Sequence, residues 1–543
     1  MIILGIGGSG HDYSCAILVD GNIKVYVEEE RISHEKYSLG KRSSLLRCID
    51  YCLNTMQISL DDVDYIVGTN ILKLTSKHDY LDKIVFINHH LAHCACSYYM
   101  SGMDDAAGLV IDGYGAKYED AKGEAISLYH IDRSNGISLL NKMLCDLSIP
   151  RDNTPLDRAN SLGNFYSIIT YLCGFAPLQE GKTMGLASYG KSTFEKEINK
   201  YIQLGFNKGK PYLQFDSYGL IEYGLNLLKG KNICDDFRVF ADVAYAGQVI
   251  LEKITFQIMN YLYAVTNVKK LVYGGGVALN SVLNGKIKKN TPFEEVFIYP
   301  AAGDAGTGVG AALYFYHSVL KHPYINCCRP ESIFLGKKYS NEDILSCLND
   351  FNDKVTFYKY SESELILLAS NKIKDNHIIG WYQGQTEVGP RALGNRSILA
   401  NPANAEMKNI LNNRVKFREH FRPFAPAVLK EYKNEYFCDD YPDNPYMLFV
   451  SDVNENKKNI IPAVVHIDGT ARLQTVSYED NPRFYLLIKA FYELTGIPMI
   501  INTSFNIKGK PIVESPKDAI LTFLNCDMDD LFLYDYHIEK KGL

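Results

Sequence analysis

The chain has no Cys-x-x-Cys pair, no apolar run approaching the ~20 residues a membrane span requires, and no excess of positive charge. Each absence removes a class of protein. The 13 cysteines are odd in number and scattered, with Cys94/Cys96 and Cys327/Cys328 as close pairs. That pattern excludes a disulfide framework and points to reduced thiols in a cytoplasmic protein. A net charge of −6 disfavours a nucleic-acid partner, although a local basic patch is compatible with it. The first ten residues lack the basic segment and the apolar length of a secretory signal, so no membrane partner is expected.

What is present is an ordinary globular composition, 46% apolar and 22% charged over 543 residues, enough for two or more cored domains. Residues 2–6 read as a buried strand. Gly7-Gly8-Ser9-Gly10 turns the chain into a second strand over 14–19, and Asp20-Gly21 turns it again into 22–28. Strand, glycine turn and strand recur at 108–115 and 125–130, which suggests a duplicated α/β fold with two hairpins facing one ligand. The charged stretch 28–36 reads as solvated surface. Helical patterns cover 160–174 and 237–266, while 180–187 is a loop or helix start. A strand over 270–273 runs into Gly274-Gly275-Gly276, an arrangement that lets backbone N–H groups approach phosphate or ribose. A similar turn follows at 301–308. Prolines and polar residues over 322–330 mark a junction, giving domains 1–330 and 331–543. Residues 339–343, with Ser340 or Asn341 followed by the acidic Glu342 and Asp343, have the form of a helix cap.

The chemistry gathers around residues 85–96. A short apolar run stops at Asn88, and a helix starting there would carry His89 and His93 on one face, four residues apart. A metalloprotease would need Glu after the first His; this chain has His90. On its own such a pair is more often a core feature than a ligand pair. Asp112 and Asp304 each stand beside glycine at the end of an apolar strand, where a carboxylate can project into a cleft. Two imidazoles and two carboxylates suit Fe²⁺ or Zn²⁺ better than Mg²⁺ or Ca²⁺. Cys94 and Cys96 read as core. His11, after the first glycine turn, is either structural or a general base.

The second half is rich in cations. Arg391 and Arg396 lie among turn residues over 381–397. Arg414, Lys416, Arg418 and Arg422 interleave with aromatics over 413–426, and Asn502-Thr503-Ser504-Phe505-Asn506 follows a strand over 497–501. Arginine forks with hydroxyls make a polyphosphate or carboxylate site. The basic–aromatic run could instead contact single-stranded nucleic acid, which the overall acidity disfavours.

These motifs occur in an order that resembles one family. They are Gly10-His11-Asp12-Tyr13-Ser14-Cys15-Ala16, His89-His90-Leu91-Ala92-His93, Asp112-Gly113-Tyr114-Gly115, Gly181-Lys182-Thr183-Met184-Gly185, Gly274-Gly275-Gly276-Val277-Ala278-Leu279-Asn280 and Gly303-Asp304-Ala305-Gly306. In the second half they continue with Gly389-Pro390-Arg391-Ala392-Leu393-Gly394-Asn395-Arg396-Ser397, Arg422-Pro423-Phe424-Ala425-Pro426, His466-Ile467-Asp468-Gly469-Thr470-Ala471-Arg472 and Asn502-Thr503-Ser504-Phe505-Asn506. Over nearly its whole length the chain resembles the O-carbamoyltransferases of the NodU/TobZ family. The resemblance implies an N-terminal actin/Hsp70-like (Kae1-like) duplicated α/β domain followed by a C-terminal YrdC-like α/β domain. It implies that carbamoyl-adenylate is formed from carbamoyl phosphate and ATP with Mg²⁺, and that the carbamoyl group then passes to a hydroxyl of a small-molecule or glycan acceptor containing a sugar.

By the same resemblance, His89, His93, Asp112 and Asp304 hold a divalent metal, Fe²⁺ first, with Zn²⁺ and Mn²⁺ as alternatives, and His11 is the general base. Lys36, Glu180, Lys182, Met184, Gly275, Gly276 and Asn280 surround the adenylate. Arg391, Arg396, Lys416, Arg418, Arg422, Arg472, Asn502, Thr503, Ser504 and Asn506 take carbamoyl phosphate and ATP in the second domain. A homodimer is compatible with the sequence. Two rival readings are an actin-fold small-molecule kinase and an RNA-binding component of a tRNA-threonylcarbamoylation-like system.

Overall fold

The apolar run at the start of the chain becomes β1 (Ile2–Gly7) in the computed structural model, which describes residues 1–39, 44–72, 83–148, 159–324 and 333–542. Both faces of β1 are covered, so its sequence is continuously apolar instead of alternating. β2 (Ser14–Val19) runs antiparallel to it. With β3 (Asn22–Glu28), β4 (Tyr65–Thr69) and β5 (Ile84–Ile87) they form one sheet in the order β3-β2-β1-β4-β5, in which β1, β4 and β5 are parallel.

A second sheet repeats that plan. Its strands are β6 (Ala106–Ile111), β7 (Lys117–Tyr118), β8 (Lys122–Asp132) and β9 (Gly136–Asp146). After a separate ribbon of β10 (Ile202–Asn207) and β11 (Lys210–Phe215) come β12 (Lys270–Gly274) and β13 (Glu295–Ile298). The order β9-β8-β6-β12-β13, with β6, β12 and β13 parallel and β8 antiparallel to β6, matches the first sheet strand for strand. The expected duplication is therefore present. It places the turns after β1 and β6 in equivalent positions, and likewise the segments after β5 and β13.

Two helices follow β5 and β13, His89–Ser101 and Thr307–Tyr314. They pack backbone to backbone because Gly310 has no side chain: a Cβ there would stand 1.9 Å from the Ala92 carbonyl oxygen. The helix expected over 237–266 spans Phe237–Thr266, and that over 160–174 spans Leu162–Leu172. Residues 180–187 are a helix, Glu180–Ala187. Among the described residues no helix is long and apolar enough to cross a membrane.

The chain divides into two compact units, and the division is not one cut. Met1–Lys24 with Cys48–Glu331 form the first; Val25–Arg47 with Ser332–Leu543 form the second. Cys327 and Cys328, and the junction expected up to residue 330, lie partly or wholly outside the described residues. The second unit is α/β as well. Its eight-stranded mixed sheet runs, in spatial order, Val355–Lys359, Tyr536–Lys540, Asp530–Leu533, Ile379–Tyr382, Arg396–Ala400, Met499–Ser504, Ala425–Leu429 and Gln474–Val476. Trp381, Phe484, Phe491, Phe505 and Phe532 are among the buried side chains of its core. The Ser340–Asp343 capping box is present.

Two expectations are corrected. The stretch 28–36 is only partly a solvated surface: Lys36 is exposed, but Glu29 is fully buried and Arg31 is 2% exposed. Two of the buried charges meet each other and one backbone segment. Arg31 faces Glu28 at 3.5 Å and donates to the Gly389 carbonyl at 2.6 Å, while Glu28 accepts the Gly389 N–H at 2.9 Å. The hydrogen-bonding run expected after a strand over 497–501 instead lies largely within one, since Met499–Ser504 is continuous.

Candidate functional site

Asn88 begins the first site. Its side-chain oxygen accepts the Leu91 N–H at 3.0 Å and caps the helix His89–Ser101, so His89 and His93 project from one face. Asp112 follows β6 directly, and Asp304 opens a short 3₁₀ turn before the helix Thr307–Tyr314. All four are buried, and one ligand atom from each lies within 4.8 Å of the others. His89 Nε2 is 3.1 Å from His93 Nε2, 3.2 Å from Asp112 Oδ2 and 3.5 Å from Asp304 Oδ1. His93 Nε2 is 3.6 Å from Asp304 Oδ1. Two nitrogen and two carboxylate donors converge there, and among the described residues the ion partners of Asp304 are histidines. Two buried negative charges with no lysine or arginine ion partner among the described residues fit a divalent cation. Burial opposes the His89 charge, yet Asp304 and Asp112 outweigh it and lift the imidazole to about 10.

His11 is half-buried beside this group, its Nε2 3.9 Å from Asp304 Oδ2 and 3.2 Å from Ser9 Oγ. Its Nδ1 lies 3.0 Å from Asp12 Oδ2, the arrangement that orients a general base. Burial works against its charge, but Asp12 and Asp304 hold the imidazole up at about 9.

The residues expected around a nucleotide are held locally. Gly275 has φ +90°, and a Cβ there would stand 2.3 Å from the Ile111 carbonyl oxygen, so only glycine allows this approach to the end of β6. The next N–H, of Gly276, donates to Asp112 Oδ1 at 3.1 Å. Asn280 caps a short helix through Leu283 N–H and exchanges two hydrogen bonds with Gln248, a side chain the sequence did not signal. Glu180 accepts from Ser167, Met184 lies against Ser281, and the Lys182 ammonium sits 5.4 Å from the Phe175 ring. Lys36 lies in the second unit, to which residues 25–47 belong.

The second site is a cation cluster in that unit. Arg391, Arg418, Arg422 and Arg472 are half-buried and close enough to depress one another. Burial and Arg422 pull Arg391 down to about 10 and Arg418 to about 9. Arginine does not give up its proton in a protein, so the depression marks an excess of positive charge, which Glu419, 3.9 Å from Arg422, offsets only in part. The Nε atoms of Arg391 and Arg472 have no hydrogen-bond partner among the described residues. Lys416 is buried beside them with Ser504 and Asn506, its ammonium donating to Asn506 Oδ1 at 2.8 Å and lying 3.3 Å from Ser504 Oγ. Burial and the nearby arginines lower it well below the usual range, and Lys36 adds to this.

Three expected members stand apart from the cluster. Arg396 is fully buried, stacked 3.6 Å over Tyr382, and donates to the carbonyls of Gln383, Gly384, Asn395 and Glu514. It braces the sheet. Asn502 Nδ2 donates to Gln474 Oε1 and the Ala392 carbonyl, and Thr503 is half-buried in the same strand. A further buried group, Asp530 with His537 and Glu539, already has Lys372 at 2.9 Å and His377 at 2.6 Å on Asp530, which satisfies its charge.

One residue behind the first site carried no sequence signal. Glu124, on β8, is fully buried and accepts from Asn88 Nδ2 at 2.8 Å, Tyr118 OH at 2.7 Å, Ala116 N–H at 3.2 Å and the Lys142 ammonium. It ties the cap of the histidine helix to the segment that follows Asp112.

Comparison with known proteins adds an independent line. The family model described as carbamoyltransferase N-terminus matches residues 69–313, and that described as carbamoyltransferase C-terminus matches residues 370–540. Nodulation protein NolO of Bradyrhizobium diazoefficiens is 36% identical, over 84% of this chain and 79% of its own. Nodulation protein NolNO of Sinorhizobium fredii is 32% identical, over 98% of this chain and 79% of its own. An uncharacterized protein of Methanocaldococcus jannaschii is 32% identical over 99% of this chain and its full length. The crystal structure of full-length HypF in the phosphate- and nucleotide-bound form aligns at TM-score 0.40 and 13% identity, over 60% of this chain and 56% of that one, too distant to bear on function.

Proposed function

The chain belongs to the carbamoyltransferase family, and on that footing we propose that it is an ATP-dependent O-carbamoyltransferase acting through carbamoyl-adenylate. The observation that carries this reading is the presence in one chain of two unlike sites, a buried two-His, two-Asp group and a cluster of four arginines in which the Nε atoms of Arg391 and Arg472 have no hydrogen-bond partner among the described residues. The cluster suits carbamoyl phosphate and the phosphates of ATP. Water opens carbamoyl phosphate to carbamate and phosphate, and a carbamate oxygen then attacks the α-phosphorus of ATP and expels pyrophosphate. Arg391, Arg418, Arg422 and Arg472 hold the oxygens on which charge accumulates.

In the first unit, the Gly276 N–H and the turn at Gly275 set how closely the adenylate can approach Asp112. His11, aligned by Asp12, takes the proton of the acceptor hydroxyl as its oxygen attacks the carbamoyl carbon and AMP departs. General-base help of this kind contributes about 10²–10⁴-fold in rate. His89, His93, Asp112 and Asp304 would hold the metal, Fe²⁺ first. A divalent cation there would polarise the mixed anhydride, neutralise charge on the leaving phosphate and relax the grip of the carboxylates on His11. The acceptor is a sugar-containing molecule.

The test is mass spectrometry of candidate glycans incubated with the protein, carbamoyl phosphate and ATP. The expected products are the carbamoylated glycan, AMP, pyrophosphate and phosphate. ADP as the only nucleotide product would overturn the adenylate route, and a phosphorylated glycan would favour a kinase.

A further inference from the structure

His466 lies on a closed turn that leads into the strand Thr470–Ala471 and so to Arg472. Its backbone N–H donates to the Thr470 carbonyl at 2.8 Å, and its own carbonyl accepts the Gly469 N–H at 3.0 Å, which fixes the residue. On the ring, Nδ1 is 3.2 Å from Thr470 Oγ1, and that hydroxyl is 2.7 Å from Asp468 Oδ1. A hydroxyl has one proton to give and an ionised carboxylate can only accept, so the Thr470 proton goes to Asp468. Thr470 can then only accept from the ring. The ring proton is thereby assigned to Nδ1, and Nε2 keeps a lone pair.

That lone pair is buried and has no hydrogen-bond partner among the described residues. Burial, with Arg472 and Lys408 in electrostatic reach, outweighs Asp468 and pulls the imidazole down to about 4, so it is uncharged at neutral pH. A buried acceptor left unpaired is costly, and arginine and lysine side chains offer a ligand nothing but donors. The ligand that satisfies both features carries an anion for the arginines and an N–H for Nε2. Carbamoyl phosphate has both. Acetyl phosphate, with a methyl where the amino group stands, would leave Nε2 unpaired.

We propose that His466 Nε2 accepts a hydrogen bond from the amino group of the carbamoyl donor and makes the second unit select carbamoyl phosphate over acetyl phosphate. This rests on the second unit using an acyl phosphate with ATP, as proposed above. His466 is then a specificity-determining residue, with Thr470 and Asp468 positioning its proton.

The experiment measures pyrophosphate release from ATP by the full chain, driven by carbamoyl phosphate or acetyl phosphate, without acceptor. In H466F the KM for carbamoyl phosphate should rise about 10–100-fold, the KM for ATP should stay within about twofold, and the preference over acetyl phosphate should collapse. H466Q, whose amide oxygen can stand where Nε2 does, should recover much of the preference. T470V frees the ring to move its proton to Nε2 and should cut the preference by about 3–10-fold. This variant decides the matter if H466F does not fold: an unchanged preference overturns the proposal. So does an H466F protein that still prefers carbamoyl phosphate, or one that loses instead its preference for ATP over inosine triphosphate, which would give Nε2 to the adenine amino group. In both cases pyrophosphate release by the unaltered chain keeps the wider reaction standing. Unaltered protein that releases no pyrophosphate with either acyl phosphate removes that reaction and this inference together.

Discussion

At the scale of single residues, neighbouring histidines divide by environment. His89 faces two carboxylates and is held protonated or ligating, whereas burial outweighs Glu124 and pulls His90, one residue on, down to about 3. His90 Nδ1 instead pairs with Ser127 Oγ at 2.8 Å. The two should therefore answer differently to substitution. His89→Ala should lower metal affinity by about 100-fold or more, read as metal per chain by mass spectrometry after dialysis. His90→Asn keeps an atom near Nδ1 for Ser127 and should retain the metal. Equal metal content in His89→Ala and the parent would make the ligand set wrong. Arginines divide in the same way: Arg396 and Arg472 share a residue type, but only Arg472 lacks carbonyls around its guanidinium, so only its loss should affect anion binding directly.

At the scale of elements, Glu124 joins the helix that carries two candidate ligands to the segment after a third. Glu124→Gln should destabilise the fold by about 3 kcal/mol, near the lower end for a broken buried ion pair because Lys142 is partly exposed. The pH dependence follows from its sign. Burial alone would raise this carboxyl, but His90, Lys142, Tyr118 and Asn88 bring it down to about 2. A depressed carboxyl stabilises the fold above its unfolded value of ~4.3 and loses that contribution as pH falls towards 2. The melting-temperature gap between parent and variant should thus be full at pH 6 and shrink between pH 4 and 2. A gap independent of pH would mean that Glu124 acts by shape alone. The residues legible in the sequence were those whose role shows in local pattern. Buried strands gave continuous apolar runs, the 3.6-residue turn aligned His89 with His93, and glycine beside Asp112 marked a strand end, whereas Asp304 stands in a turn beyond the end of β13 at Ile298. Glu124 and the buried part of the stretch 28–36 depend on partners distant in the chain. Arg31, for example, meets a carbonyl 358 positions away, so it passed for surface charge.

For the whole molecule, the duplicated sheets explain why four ligands can come from segments as far apart as Asp304 and His89. The segments after the equivalent strands β1 and β6 carry His11 and Asp112, and those after β5 and β13 carry His89 and Asp304, so one fold plan used twice brings four segments to one place. The second unit has a different sheet and a different charge character, which fits a division of labour between two half-reactions. That division has a consequence for variants. His93→Ala, altering only the first unit, should abolish glycan carbamoylation while leaving carbamoyl-phosphate-dependent pyrophosphate release within about twofold of the parent. Arg472→Met, altering only the second, should lower release and carbamoylation together by about 10²–10³-fold, as expected when a charge-assisted contact to phosphate is removed. Both are measured on the same samples, one by pyrophosphate detection and the other by mass spectrometry of the glycan. If His93→Ala stopped pyrophosphate release as completely as carbamoylation, the metal group would belong to adenylate formation, and the assignment of one half-reaction to each unit would have to be abandoned.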